Sequence, residues 1–346
     1  MSEPASSNKR QRTNSDATGS EKDGPNVIKR DDEFWFEDGN IMLIARDIEF
    51  RIYKGILAKH SSVFQDMFSL PTAVAPESSR DTAAPADTFP VVHLSDSPED
   101  LRHVLRVCMS DTNLSSGSFS TGGPPFHMVS AVIRLGHKYQ MEKVVARAVM
   151  YLKQRAPMCF WEQESAPAPR FYGPQGVMNP IGLVNLARLV EEPSILPTAL
   201  LTCSMLDATK LFRGYKHEDG TVETLTQADL VRCLDAREQL AEKCLVLVTR
   251  IFAPSESDEC RNPTMCRKKL WDMLAGVERR VDFFVRPDVT SSRLGPYEHT
   301  DMLECCANCQ DMLRTRDKRE RRMMWSISVL EASNIILLCQ PTPSSP

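Results

Sequence analysis

The chain has 346 residues, a length that suits two domains. Hydrophobic residues make up 42% and charged residues 25%, the balance of an ordinary globular protein. Forty-six acidic against 42 basic side chains leave a net charge of −4, which excludes a chain-wide field of the kind that binds nucleic acid. No stretch approaches about eighteen uninterrupted apolar residues, so a membrane-spanning helix is not expected. Met1 to Gly24 is polar without an apolar core, so no signal peptide and no secretion are expected. Eleven cysteines, an odd number at scattered positions, read as reduced thiols of a cytoplasmic or nuclear protein. Cys108, Cys203 and Cys244 lie on apolar helical stripes and read as small buried hydrophobes.

Residues 1–30 read as a disordered polar tail, because such a segment buries too little surface to offset its ordering entropy. Within it, Lys9-Arg10-Gln11-Arg12 has the composition of a short nuclear-import signal or of a solvated charge cluster. Ordered structure is expected from Asp31. Phe34-Trp35-Phe36, Ile41-Met42-Leu43-Ile44 and Ile48-Glu49-Phe50-Arg51-Ile52-Tyr53 are β-branched and aromatic runs separated by turn residues, which predicts a hairpin with a short strand before it. From Gly55 the period becomes helical, and Ile56, Leu57, His60, Val63, Phe64, Met67 and Phe68 predict two short helices that break near Ser61-Ser62. Pro71 to Thr88 reads as a long loop and Val91–Leu94 as a strand. Ser97 and Pro98 mark a helix start, with Leu101, Val104, Leu105 and Cys108 as its stripe. A loop over Ser110 to Pro125 and two amphipathic helices complete a unit over 31–155. Residues 156–180 read as a proline-bearing linker, and 181–340 as an all-helical C-terminal domain with a long helix starting near Thr226. Met302, Cys305, Cys306, Cys309 and Leu313 predict a closing helix that continues beyond Trp325. The fold class is therefore α+β, a short sheet with about five helices followed by an all-α domain.

The run Phe50-Arg51-Ile52-Tyr53-Lys54-Gly55-Ile56-Leu57-Ala58-Lys59-His60-Ser61-Ser62-Val63-Phe64-Gln65-Asp66-Met67-Phe68 resembles the signature of BTB/POZ domains. In that family an aromatic strand end leads into Leu-x-x-x-Ser-x-x-Phe-x-x-Met-Phe. Asp38 matches the acidic residue of the family's first hairpin, and Leu135-Gly136-His137-Lys138-Tyr139 resembles its penultimate helix. Phe34-Trp35-Phe36-Glu37-Asp38-Gly39-Asn40 with Met67-Phe68-Ser69-Leu70-Pro71 is similar to the large fungal set, in which a helical region of unassigned role follows the BTB domain.

The resemblance implies protein–protein interaction: self-association as a homodimer, and in many members recruitment of a cullin ubiquitin-ligase scaffold or of transcriptional cofactors. By position, Asp38 and Lys54 would be the charged pair near the dimer groove. Tyr53 stands where the family usually has His, and Leu57, Ser61, Phe64, Met67 and Phe68 would serve as core and interface residues. Met109-Ser110-Asp111 replaces the common Tyr-Thr-Gly and is only a loose version of the cullin-binding triplet. The function expected is a non-catalytic scaffold or adaptor, with substrate delivery to a ubiquitin ligase as its narrower form. The alternative is a nuclear regulatory protein with a structural zinc site and a basic helix that contacts nucleic acid.

Catalytic patterns are missing from the sequence: no G-x-G-x-x-G after a strand, no phosphate-binding loop with its Lys, no H-E-x-x-H and no nucleophile elbow. No catalytic and no cofactor-binding residue is assigned, and no enzyme is expected. Cys260-x5-Cys266 and Cys306-x2-Cys309 form two pairs whose thiolates would close a tetrahedral zinc site. Against zinc, Cys305, Cys306 and Cys309 read as the apolar stripe of one helix, where buried thiols have the same pattern. Arg314, Arg316, Lys318, Arg319, Arg321 and Arg322 form the strongest basic cluster. Asp311, Asp317 and Glu320 intervene, which favours a solvated mixed-charge face over phosphate binding.

Overall fold

The computed structural model describes residues 28–70, 90–109, 124–155, 178–289 and 291–338. The Lys9–Arg12 run lies outside the described residues. So do most of the two long loops and of the linker. Strands β1 (Lys29–Trp35), β2 (Ile41–Ala45), β3 (Ile48–Ile52) and β4 (Val91–Leu94) form one sheet in the order β1-β3-β2-β4. β2 and β3 pair antiparallel, Ile41 opposite Ile52 and Ala45 opposite Ile48, around a turn in which Arg46 takes φ 54°. β1 runs parallel to β3, and β4 parallel to β2. The period of two places Ile41, Leu43, Ala45, Phe50 and Ile52 on the buried face.

Helices α1 (Lys54–His60) and α2 (Ser62–Ser69) are separated by Ser61, whose backbone is extended at φ −131° and ψ 122°. The Ser61 hydroxyl accepts the Phe64 N–H at 3.1 Å, capping α2. α3 (Pro98–Met109) starts on Ser97, whose Oγ accepts the Asp100 N–H at 3.1 Å. α4 (Phe126–Lys138) and α5 (Glu142–Arg155) complete the α+β unit.

The second half is helical, as expected. α6 (Pro180–Leu189), α7 (Leu196–Ser204) and α8 (Ala208–Arg213) lead to a hairpin of β5 (Tyr215–Lys216) and β6 (Val222–Glu223). Gly214 at φ 78° and Gly220 at φ 83° set its entry and its turn, in a region other residues rarely adopt. This hairpin escapes the periodicity reading because strands of two residues carry no period. α9 (Gln227–Ile251) is capped by Thr226 and is followed by α10 (Pro263–Ala275), α11 (Val281–Phe284) and α12 (Ala307–Leu338).

The closing helix differs from expectation at its start. Asp301–Glu304 is a 3-10 turn, Cys305 is extended at φ −79° and ψ 152°, and α12 begins only at Ala307. The Cys306 N–H donates to the Cys266 sulfur at 3.3 Å, a tertiary partner in place of a helical carbonyl.

The apolar interior forms two clusters. The first runs from Phe34 through the sheet and α3–α5 into α6, α7 and Cys233 of α9, so the first helices after the linker share the core of the α+β unit. The second joins α7, α9, α10, α11 and α12, from Leu201 to Trp325. α6 reaches α4 closely at Gly182, where an added Cβ would lie 2.7 Å from the Phe126 ring. The β5–β6 turn clasps the same unit: Arg46 pairs with Asp219 at 2.7 Å and His103 with Glu218 at 2.6 Å.

Candidate functional site

The eight residues singled out on the first hairpin, α1 and α2 fall into two sets. Leu57, Ser61 and Phe64 are 0%, 1% and 1% exposed and hold the interior. Phe64 stacks on Tyr139 with centroids 4.6 Å apart. Asp38 and Lys54 are exposed, and Tyr53, Met67 and Phe68 are half-buried.

Asp38 and Lys54 are both exposed at this edge. Asp38 accepts the Tyr53 hydroxyl at 2.5 Å, and that bond raises Tyr53 above the usual phenol range. The Lys54 backbone N–H donates to Asn40 Oδ1 at 2.8 Å, which starts α1. Tyr where the family has His is thus what engages Asp38 on this edge. On α1 and α2, Ile56, Val63, Met67 and Phe68 are half-buried and pack partly against the core, among exposed Lys59, Ser62, Gln65 and Asp66.

A hairpin feeding two short helices broken at a capped Ser, a parallel edge strand and three amphipathic helices are now all in place. Residues 36–156 match the BTB/POZ domain family. The chain carries a BTB/POZ domain. This domain is a protein-interaction module and generally a non-catalytic one, which supports a role in binding other proteins. No curated protein matches the chain. Among the described residues, no helix is long and apolar enough to cross a membrane.

Outside the BTB surface, two clusters of ligand-type side chains stand out. His103, His127 and Glu218 meet where α3 and α4 receive the β5–β6 turn. Arg106 Nη1 lies 3.1 Å from His103 Nδ1, and a guanidinium only donates, so Nδ1 accepts and Nε2 carries the proton given to Glu218. The ring nitrogens of His103 are thereby both used, with a cation beside them. Burial lowers His127 below the usual imidazole value despite Glu218 at 3.1 Å. This is a hydrogen-bonded joint between the BTB domain and the hairpin.

The second cluster is made of cysteines. The sulfurs of Cys260, Cys266, Cys306 and Cys309 all lie within 4.8 Å of one another, and those of Cys260 and Cys306 are 3.7 Å apart. Cys260 comes from the loop after α9, Cys266 from the first turn of α10, and Cys306 and Cys309 from the start of α12. The late start of α12 is what makes this possible. It removes Cys305 and Cys306 from the helical stripe that argued for plain core thiols. Cys305 lies beside the cluster, its Sγ 3.9 Å from the Asp301 carbonyl, and burial with the neighbouring Cys266 pushes its thiol up to about 12. Backbone N–H groups of Arg261 and Cys309 pull Cys306 down to about 6, while burial raises Cys266 and Cys309.

The basic run of α12 is offset by acidic side chains and carbonyls, partly at the surface. Arg314 pairs with Asp311 at 2.8 Å, Arg319 with Glu320 at 2.8 Å and Arg321 with Asp317 at 2.9 Å. Arg316 donates to the carbonyls of Ile251 and Ala253 at 3.1 and 3.0 Å. Asp317 and Glu320 are buried, not solvated as the mixed-sign pattern suggested. Asp317 Oδ1 accepts the backbone N–H of Arg293, a fully buried arginine that no sequence pattern flagged.

Proposed function

We propose that the chain is a self-associating scaffold or adaptor, whose BTB domain forms a homodimer through the α1–α2 face while the C-terminal helices present a second partner surface. The observation that carries this reading is the BTB/POZ domain itself, on whose α1 and α2 the half-buried Ile56, Val63, Met67 and Phe68 keep part of their apolar surface in solvent. Apolar surface of this kind marks partner sites, and two-fold dimers are the commonest oligomers. The shared first core supports a rigid arrangement, because α6 and α7 are packed into the BTB domain.

Delivery of a substrate to a cullin-type ubiquitin ligase is the narrower form of the same reading. Its weak point is the Met109-Ser110-Asp111 triplet, of which 110 and 111 lie outside the described residues. The nuclear alternative with nucleic-acid contact draws less support, since Arg316 and Arg321 are held within the fold and Arg314 and Arg319 have acidic neighbours on the same helix. A cytoplasmic or nuclear location fits the buried free thiols Cys108, Cys203, Cys233 and Cys244. Cross-linking with mass spectrometry on the full chain tests the interface. Inter-chain links from Lys54 and Lys59 to the same helices of a second copy are expected. Inter-chain links confined to α9–α12 would overturn the assignment of the interface.

A further inference from the structure

We propose that Cys260, Cys266, Cys306 and Cys309 bind one zinc ion as a closed, tetrahedral, structural centre that ties α10 and α12 to the loop after α9.

The geometry fits the ion. A zinc–thiolate bond of about 2.3 Å places the corners of a tetrahedron about 3.8 Å apart. The Cys260–Cys306 separation is 3.7 Å, and no pair of the four sulfurs exceeds 4.8 Å. That spacing encloses one ion and leaves no room for a multi-iron cluster with bridging sulfides. All four ligands are protein thiols, so no coordination position stays open for substrate, the mark of a structural and not a catalytic site. A soft tetrahedral S4 donor set selects zinc among common divalent ions.

The surroundings are arranged for thiolates. The Ser257 N–H points at Cys309 Sγ at 3.5 Å, and the Cys306 N–H at Cys266 Sγ at 3.3 Å. A neutral thiol is a poor acceptor, whereas a metal-bound thiolate uses such donors as its outer shell. Two helix N-termini, those of α10 and α12, converge on the sulfurs and favour the net negative charge of four thiolates around one dication. Arg316 holds the loop that supplies the Ser257 N–H through its bond to the Ser255 carbonyl at 3.2 Å.

Cys233, a core thiol elsewhere in the chain, has a different setting. It lies fully inside an apolar helix contact, its sulfur directed at the Leu200 carbonyl 3.7 Å away. Cys260 and Cys306 are only half-buried, which gives the ion an entry path.

Elemental analysis of the full-length protein, purified without chelator or metal-affinity steps, tests this. About one zinc per chain is expected, released on titration of about four thiols with an organomercurial. Folded protein with less than about a tenth of an equivalent of zinc, or with stoichiometric iron instead, would overturn it. A second arm uses substitutions. Cys305→Ser should keep the zinc, and the double change Cys260→Ser with Cys306→Ser should lose it. Zinc retained in the double variant would contradict the assignment. Because that variant can unfold, cobalt exchange into the wild-type protein provides an independent check: intense visible bands of tetrahedral tetrathiolate cobalt are expected, and their absence counts against the site.

Discussion

The hydroxyl of Ser61 donates to the backbone carbonyl of Tyr139 at 2.5 Å, joining the break between α1 and α2 to the end of α4. The same oxygen caps α2 through the Phe64 N–H, so one side chain sets both the local break and a contact 78 residues away. Ser61→Ala leaves a buried carbonyl and a helix N-terminus without their partner. The expected cost is about 1–2 kcal/mol, read as a lower midpoint in equilibrium urea unfolding. No change in midpoint would mean that neither bond contributes.

Gly182 is where α6 meets α4. A Cβ there would lie 2.7 Å from the Phe126 ring, which itself packs edge-on against Tyr215 at 5.4 Å. Gly182→Ala is expected to destabilise by about 1–3 kcal/mol through overpacking. Phe126→Leu in the same chain should recover part of that loss, a coupling that a double-mutant cycle measures. Strict additivity would show that the two positions do not press on each other.

The His103–His127–Glu218 joint makes stability depend on pH. Burial lowers His127 below its unfolded value of 6.5, against the pull of Glu218 and Asp100 and with help from His103 and Arg106. The folded state therefore takes up the proton at lower pH than the unfolded state does. Stability from this group is present above about 6.5 and declines as pH falls toward the folded value. Thermal midpoints at about pH 7.5 and about pH 5.5 should differ, and His127→Gln should narrow that difference. An unchanged difference would remove His127 from the effect.

Zinc removal should act on one part of the molecule. The second core, with Cys266, Cys309, Leu270, Leu313 and Trp325, surrounds the four sulfurs, while the first core lies around the sheet and α3–α7. Hydrogen exchange after organomercurial treatment is expected to rise across α10 and the first turns of α12. The β2–β3 ladder should keep its protection. Uniform loss over both regions would mean that the centre does not act locally.

Much of this fold is legible in the sequence because local physics and the final structure agree. Ser61 before Phe64, Ser97 before Pro98 and Thr226 before Asp229 each announce a helix start, and each side chain does cap. The alternation in β2 and β3 likewise names its own buried face. What was not legible depends on tertiary partners. The break at Cys305 follows from the bond between the Cys306 N–H and Cys266, 40 residues away, and apolar periodicity runs through it unmarked. The partner of Asp38 turns on a Tyr in place of a His, and the burial of Arg293 involves Cys244 and Asp317, 49 and 24 residues away. Four cysteines could be counted in advance. Their spacing offered one zinc site beside a buried helical stripe, and choosing between the two needs the start of α12 in its observed place.

Self-association through the BTB domain is tested most directly by light scattering on the full-length chain during size-exclusion chromatography. A mass about twice the 39.0 kDa of one chain is expected at tens of micromolar, shifting toward one chain in Met67→Lys. A mass of one chain for the unmodified protein, unchanged across that concentration range, would contradict the account.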